Sequence, residues 1–145
     1  MAGWSNGAAT PTATLALTGV LIDGDTYVIC QPSIAASFNN LCDIKNSVIG
    51  FNGNDAVALS QGTTVIDQVG VIGPPAPATG WAVCGVTDAT VNTILLRKPS
   101  VSSPTNVWAT SAGTNTTDCQ WLTRPAATEA DMLANNTMGV HMLTP

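Results

Sequence analysis

Short apolar runs separated by Gly, Asn, Asp and Pro recur along most of the chain, and they are densest across residues 48–81. There Ala56-Val57-Ala58-Leu59 and Thr64-Val65-Ile66-Asp67-Gln68-Val69 flank Gln61-Gly62, with Asn52-Gly53 just upstream. Gly and Asn at such corners permit the positive φ that tight hairpin turns need. Two β-prone runs this close in sequence are predicted to pair antiparallel, with the rest of the chain laid around them as further strands.

The flanking segments fit that scheme. Residues 4–10 are polar and small. Thr12-Ala13-Thr14-Leu15-Ala16-Leu17 alternates and puts Ala13, Leu15 and Leu17 on one face. Gly19 opens Val20-Leu21-Ile22, and Asp23-Gly24-Asp25 is a turn before the β-branched run Thr26-Tyr27-Val28-Ile29-Cys30, which Pro32 stops. Ser33 is a candidate N-cap for a short helical turn within 33–41, whose Ile34, Phe38 and Leu41 have the spacing of one buried face. The Pro-rich stretch 73–80 is a loop. Extended structure resumes at Trp81-Ala82-Val83-Cys84, and a strong strand is expected at 94–98. A short strand or bridge is expected at 106–108, a polar loop at 111–117 and the last strand at 119–123. Thr128 with Asp131 caps a short helix running to Leu133. The expected architecture is all-β, a sandwich or small barrel over residues 1–124, followed by a tail, 125–145, that is flexible or docked on a partner.

Composition narrows what such a chain does. Of 145 residues 45% are hydrophobic and only 9% charged, against roughly 25% charged in an average soluble domain. Disorder needs the opposite balance. Net charge is −5, and the basic residues are only Lys45, Arg97, Lys98 and Arg124. No basic face for a phosphate backbone or an anionic lipid surface follows from those four. No apolar run approaches the length of about 20 residues that spans a bilayer. The opening Met1-Ala2-Gly3-Trp4-Ser5-Asn6-Gly7 has neither the basic start nor the apolar block of a secretory leader.

The four cysteines, Cys30, Cys42, Cys84 and Cys119, form no C-x-x-C, and with one His they make no zinc set. They read either as buried thiols or as two disulfides in any of three connectivities. Disulfides imply an oxidising compartment, and the given start is then a processed, trimmed or incomplete one. His141 has no nucleophile or acid placed near it, and no catalytic residue, metal site or cofactor is expected. Asn52, Asn54 and Asp55, and likewise Asp23 and Asp25, offer oxygens to a calcium ion but read first as turn formers. Asp67, within a β-branched strand, is expected to bond backbone or face solvent. Trp81 and Trp121 are expected in the core; Trp4 and Trp108 are candidate contact residues, with a sugar-stacking platform the alternative use of such rings. Met138, Val140, Met142 and Leu143 add apolar contact candidates in the tail. Asn115-Thr116-Thr117 and Asn135-Asn136-Thr137 match the N-glycan acceptor pattern, which makes Asn115 and Asn135 candidate glycosylation sites.

An ordered set of segments carries a family likeness. It runs from Ser5-Asn6-Gly7-Ala8 and Thr14-Leu15-Ala16-Leu17 through Gly24-Asp25-Thr26-Tyr27-Val28-Ile29-Cys30 to Phe51-Asn52-Gly53-Asn54-Asp55-Ala56-Val57-Ala58-Leu59. Val65-Ile66-Asp67-Gln68-Val69-Gly70, Trp81-Ala82-Val83-Cys84-Gly85, Leu95-Leu96-Arg97-Lys98-Pro99 and Trp108-Ala109-Thr110-Ser111-Ala112-Gly113-Thr114 follow, and Asp118-Cys119-Gln120-Trp121 closes it. Over about residues 4–123 the chain resembles the lamin-tail-domain family in its secreted bacterial and algal form. The resemblance implies an immunoglobulin-like β-sandwich with Greek-key antiparallel strands and the pairings Cys30–Cys42 and Cys84–Cys119. It departs from the family in lacking a first pair of strands that leads into an "ALEIYNPT"-like segment, and in its tail beyond Thr123.

The function expected is a non-catalytic structural or interaction module outside the cytosol. An exposed sheet edge would bind a protein partner or a second copy. The alternative is an accessory targeting or substrate-binding domain of a secreted hydrolase of nuclease or phosphatase type, since similar modules accompany such enzymes.

Overall fold

A computed structural model describes residues 1–134 and 138–140. The hairpin at its centre follows the pattern of its sequence. Strands β5 (Ala56–Gln61) and β6 (Thr64–Val69) pair antiparallel, with Gln61 opposite Thr64 and Gly62 at φ 60° in the turn. A register shift at Leu59/Ser60 marks a bulge.

What lies beside the hairpin departs from expectation. Residues Ala2–Trp4 form β1, which runs between β5 and the two-residue β2 (Ala13–Thr14) in a sheet of order β2-β1-β5-β6. Three residues are too few for an alternation to show, and one of them is Gly3. Its role is spatial: a Cβ there would stand 2.6 Å from the Val48 carbonyl oxygen. The run at 26–30 keeps only Ile29–Cys30 as β3, paired in parallel with β4 (Ile44–Lys45). Val20-Leu21-Ile22 forms no strand. The strand expected at 94–98 is β7 (Thr93–Arg97), antiparallel to β8 (Trp121–Pro125). Where a strand or bridge was expected at 106–108, helix α1 (Trp108–Ala112) begins, ending at Gly113 with φ 63°. The helical turn expected within 33–41 is a 3-10 turn at Ala36–Leu41. It buries Phe38 but leaves Leu41 exposed, so the one-sided face predicted from spacing is only partly formed.

Helix α2 (Glu129–Ala134) starts as its sequence predicts. Thr128 Oγ1 accepts from the Asp131 N–H at 3.1 Å, and Asp131 Oδ2 accepts from the Thr128 N–H at 3.0 Å. The Ser37 hydroxyl donates to Glu129 Oε1 at 2.5 Å and ties this helix to the 3-10 turn. Among the described residues the sheets hold four, two and two strands, which makes a β-rich fold with mainly antiparallel pairing.

Among the described residues two apolar clusters sit inside. Trp4, Ala56 and Ala58 form one under the four-stranded sheet. Val83, Cys84, Ala89, Trp108, Ala112, Cys119 and Trp121 form the other, with Trp81, Val69 and Leu95 packed against it. The Trp121 indole N–H donates to Ser111 Oγ at 2.7 Å, so a fully buried hydroxyl and a buried ring satisfy each other. Arg97 joins the sheets. Its guanidinium holds both Asp67 oxygens at 2.8 and 2.9 Å, donates to Gln120 Oε1 and lies 4.1 Å above the Trp121 ring. Asp67 is therefore an ion-pair partner rather than a solvent-facing or purely backbone-bonded group.

Asp55 fixes the junction between the clusters. The residue is 5% exposed, and its carboxylate accepts the Asn6 N–H at 2.7 Å and the Asn52 N–H at 3.2 Å. Its carbonyl takes the Trp81 indole N–H at 2.7 Å. Thr90 Oγ1 accepts the Trp81 backbone N–H and donates to the Gly53 carbonyl, closing the joint.

Cys30 is bonded to Cys42, with Cα atoms 5.7 Å apart, and Cys84 to Cys119, with Cα atoms 5.1 Å apart. On the loop-entropy account the shorter loop contributes about 3 kcal/mol and the longer about 4 kcal/mol. Removing the Cys84–Cys119 pair by double Ala substitution is expected to cost about 1 kcal/mol more than removing Cys30–Cys42, as read by urea unfolding. Asp55→Ala leaves two backbone donors without their acceptor, and each such orphan costs about 1–3 kcal/mol. The same assay should show a loss of about 2–6 kcal/mol.

Candidate interaction surface

The segment between β2 and β3 is built outward by its own sequence. Gly19 at φ 101° and Gly24 at φ 81° turn the chain, and a Cβ at either would meet nothing within 4 Å. The Asp25 N–H closes the second turn on the Ile22 carbonyl at 3.1 Å. With both turns open to solvent, the apolar residues between them have no interior to enter. Val20 is 93% exposed, Ile22 69%, Leu21 55%, Tyr27 49% and Leu17 43%. Leu17, Thr18, Gly19, Val20, Leu21 and Tyr27 line an open groove of about 260 Å³.

Both ends of this arc are held. On the β2 side, the Leu15 N–H donates to the Met1 carbonyl at 2.9 Å. On the other, the Val28 N–H donates to Asp43 Oδ2 at 2.6 Å, the Asp43 N–H returns to the Val28 carbonyl, and the Cys30–Cys42 bond follows. Among the described residues, the β2 edge of the four-stranded sheet carries no further strand, and it leads directly into the arc. Scattered apolar exposure is ordinary; here Leu17, Val20, Leu21 and Tyr27 line one groove. In the sequence the signal was an apolar run, Val20-Leu21-Ile22, bounded on both sides by glycine turns.

The other expected site residues are placed as follows. Trp4 and Trp108, expected at a partner contact, sit in the core at 8% and 6% exposed. Trp108 faces Trp121 at 6.3 Å between ring centroids, and Trp81 spends its indole N–H on Asp55, so the tryptophans do not assemble an open stacking platform. Met138 is half-buried and Val140 exposed. Asn135, His141, Met142 and Leu143 lie outside the described residues. Asn54 donates to Asn6 Oδ1 and the Pro77 carbonyl, and Asp55 is occupied by backbone N–H groups, so this turn serves the fold. Asp25 Oδ1 accepts from the Thr26 N–H. Among the described residues, no three His, Cys, Asp or Glu side chains gather as a metal site, and no helix is long and apolar enough to cross a membrane.

Compared with protein-family models, curated proteins and solved structures, the chain finds no match in any of the three.

A second exposed feature is the polar loop 114–118, ordered around Asp118. The Asp118 carboxylate accepts the Thr114 N–H at 2.8 Å, the Thr114 hydroxyl at 2.6 Å, the Asn115 N–H at 2.9 Å and Asn115 Nδ2 at 3.0 Å. The Thr114 hydroxyl foremost, then the Asn115 N–H, hold this carboxyl below the ordinary aspartate range. A carboxyl held low contributes order that is complete above its unfolded-chain pKa and fades as pH falls through the folded value. Amide protection at Thr114 and Asn115 is therefore expected to drop on acidification below the ordinary aspartate range. Hydrogen exchange across a pH series checks this, and Asp118→Asn should flatten the profile.

Proposed function

We propose that this chain is a non-catalytic interaction module of lamin-tail-domain type, with an immunoglobulin-like sandwich as its parent architecture, working in an oxidising compartment such as the extracellular space. It binds a protein partner, or a second copy of itself, through the apolar arc 17–27 and the adjoining β2 edge. The observation that carries this reading is the arc itself: five large apolar side chains face solvent in one segment whose two ends are fixed. Two disulfides support the compartment. The low charge supports adhesion by apolar contact rather than by electrostatic docking.

The mechanism is burial. An aliphatic side chain moved from water into a contact is worth about 1.5–3 kcal/mol. Holding the ends of the arc limits the ordering cost that a free loop would bring to binding. A short free edge next to it offers unpaired backbone groups for strand addition.

Val20→Ser with Ile22→Ser is expected to leave the urea midpoint unchanged, because neither side chain is buried. The pair should weaken self-association in a sedimentation concentration series by tenfold or more, about 1.4 kcal/mol. Equal association by the wild type and the double variant would place the contact elsewhere.

A further inference from the structure

We propose that Asn115 is an N-glycosylation site, taking an oligosaccharide from a polyprenyl-diphosphate donor. Asn115-Thr116-Thr117 has the acceptor pattern, with Asp118 rather than proline after it. Every residue from 114 to 118 is exposed. The side-chain geometry is compatible with the product. Asn115 Oδ1 accepts the Thr117 N–H at 2.8 Å and the Asp118 N–H at 3.2 Å, so the turn is held by the oxygen, which glycosylation leaves in place. Nδ2 donates to Asp118 Oδ2 at 3.0 Å and, at 3.3 Å, to Thr114 Oγ1. In the transfer, Nδ2 forms a bond to the sugar C1 as the C1–oxygen bond to the diphosphate breaks. The diphosphate leaves with the electron pair, and one Nδ2 proton passes to a base of the transferase. One N–H remains on Nδ2 to donate within the loop.

The loop is also anchored independently of that nitrogen. The Lys98 ammonium donates to the Thr116 and Cys119 carbonyls at 2.7 and 2.6 Å, and Cys119 is tied to Cys84. A glycan here would supply hydrated surface to a chain in which only 9% of residues are charged. The inference rests on the oxidising-compartment reading, since glycan transfer and disulfide formation share the secretory route.

The test is secretion of the full 145-residue chain from a glycosylating eukaryotic host behind a leader, followed by peptide mapping before and after peptide-N-glycosidase. Expected is carbohydrate on the Asn115 peptide, with the Asn converted to Asp on enzymatic release. Thr117→Ala leaves the backbone bonds of the turn in place and should abolish the modification without reducing secretion. An unmodified Asn115 in secreted wild-type protein overturns the proposal, as does carbohydrate on Asn135 alone. Alkylation of free thiols in the same sample separates the two readings. Four blocked cysteines with a bare Asn115 would sink the site and leave the compartment standing; free cysteines would sink the compartment.

Discussion

A buried carboxylate with no charge partner among the described residues has to be satisfied by hydrogen bonds, and at Asp55 the partners are two backbone amides, one from a distant strand end and one from its own turn. One comes from Asn6 and one from Asn52, while the residue's own carbonyl holds the Trp81 indole. The requirement is strict because an unpaired buried charge is costly. It therefore selects one arrangement of three segments. The N-terminal strand enters beside β5, the turn before β5 closes, and Trp81 is oriented toward the second cluster. Gly70 belongs to the same constraint: a Cβ there would lie 2.6 Å from the Asp55 carbonyl oxygen and 2.7 Å from the Trp81 indole nitrogen.

Arg97 plays the matching part between β6 and the β7-β8 pair. A planar guanidinium can hold a carboxylate through one nitrogen, reach an amide through another and lay its flat face on a ring at once, a face that an ammonium lacks. Its side chain is 15% exposed and that of Asp67 29%, so the pair keeps partial access to water and avoids the full desolvation penalty of a buried ion pair. With so few charges in the chain, those present act as joints: Arg97 between sheets, Lys98 on two carbonyls, Asp118 inside its loop. Disulfides complete the joints where helices and long strands are scarce.

The hairpin was legible because its alternation is long and its turn glycine is unambiguous, and the same holds for β7 and for the Thr128–Asp131 cap. β1 was not, since Ala2, Gly3 and Trp4 are placed by pairing with β5 and by the close approach of Gly3 to the Val48 carbonyl rather than by any periodicity. The shortened β3 shows the opposite failure: Thr26 and Tyr27 have strand propensity but lie outside the β3–β4 ladder, and Val28 spends its N–H on the Asp43 side chain instead of a backbone carbonyl. Trp108 was misplaced for a related reason. Its indole is drawn inward by Trp121 and the Cys84–Cys119 cluster, and a helix start serves that better than an extended bridge. The exposed arc could be read as residues but not as a surface, because exposure depends on what fails to pack above it.

Neither sulfur bridge reaches upstream of Cys30. A single backbone scission at the solvent-facing tip around Gly24 would thus divide the molecule into pieces with no covalent connection. The short piece would carry Trp4 and the Asn6 amide away with it, leaving β5 bare on one side and Asp55 short of a donor. Loop tips are where proteases cut first. The exposed arc is thus also the seam along which the fold comes apart, and anything that covered it would double as its shield.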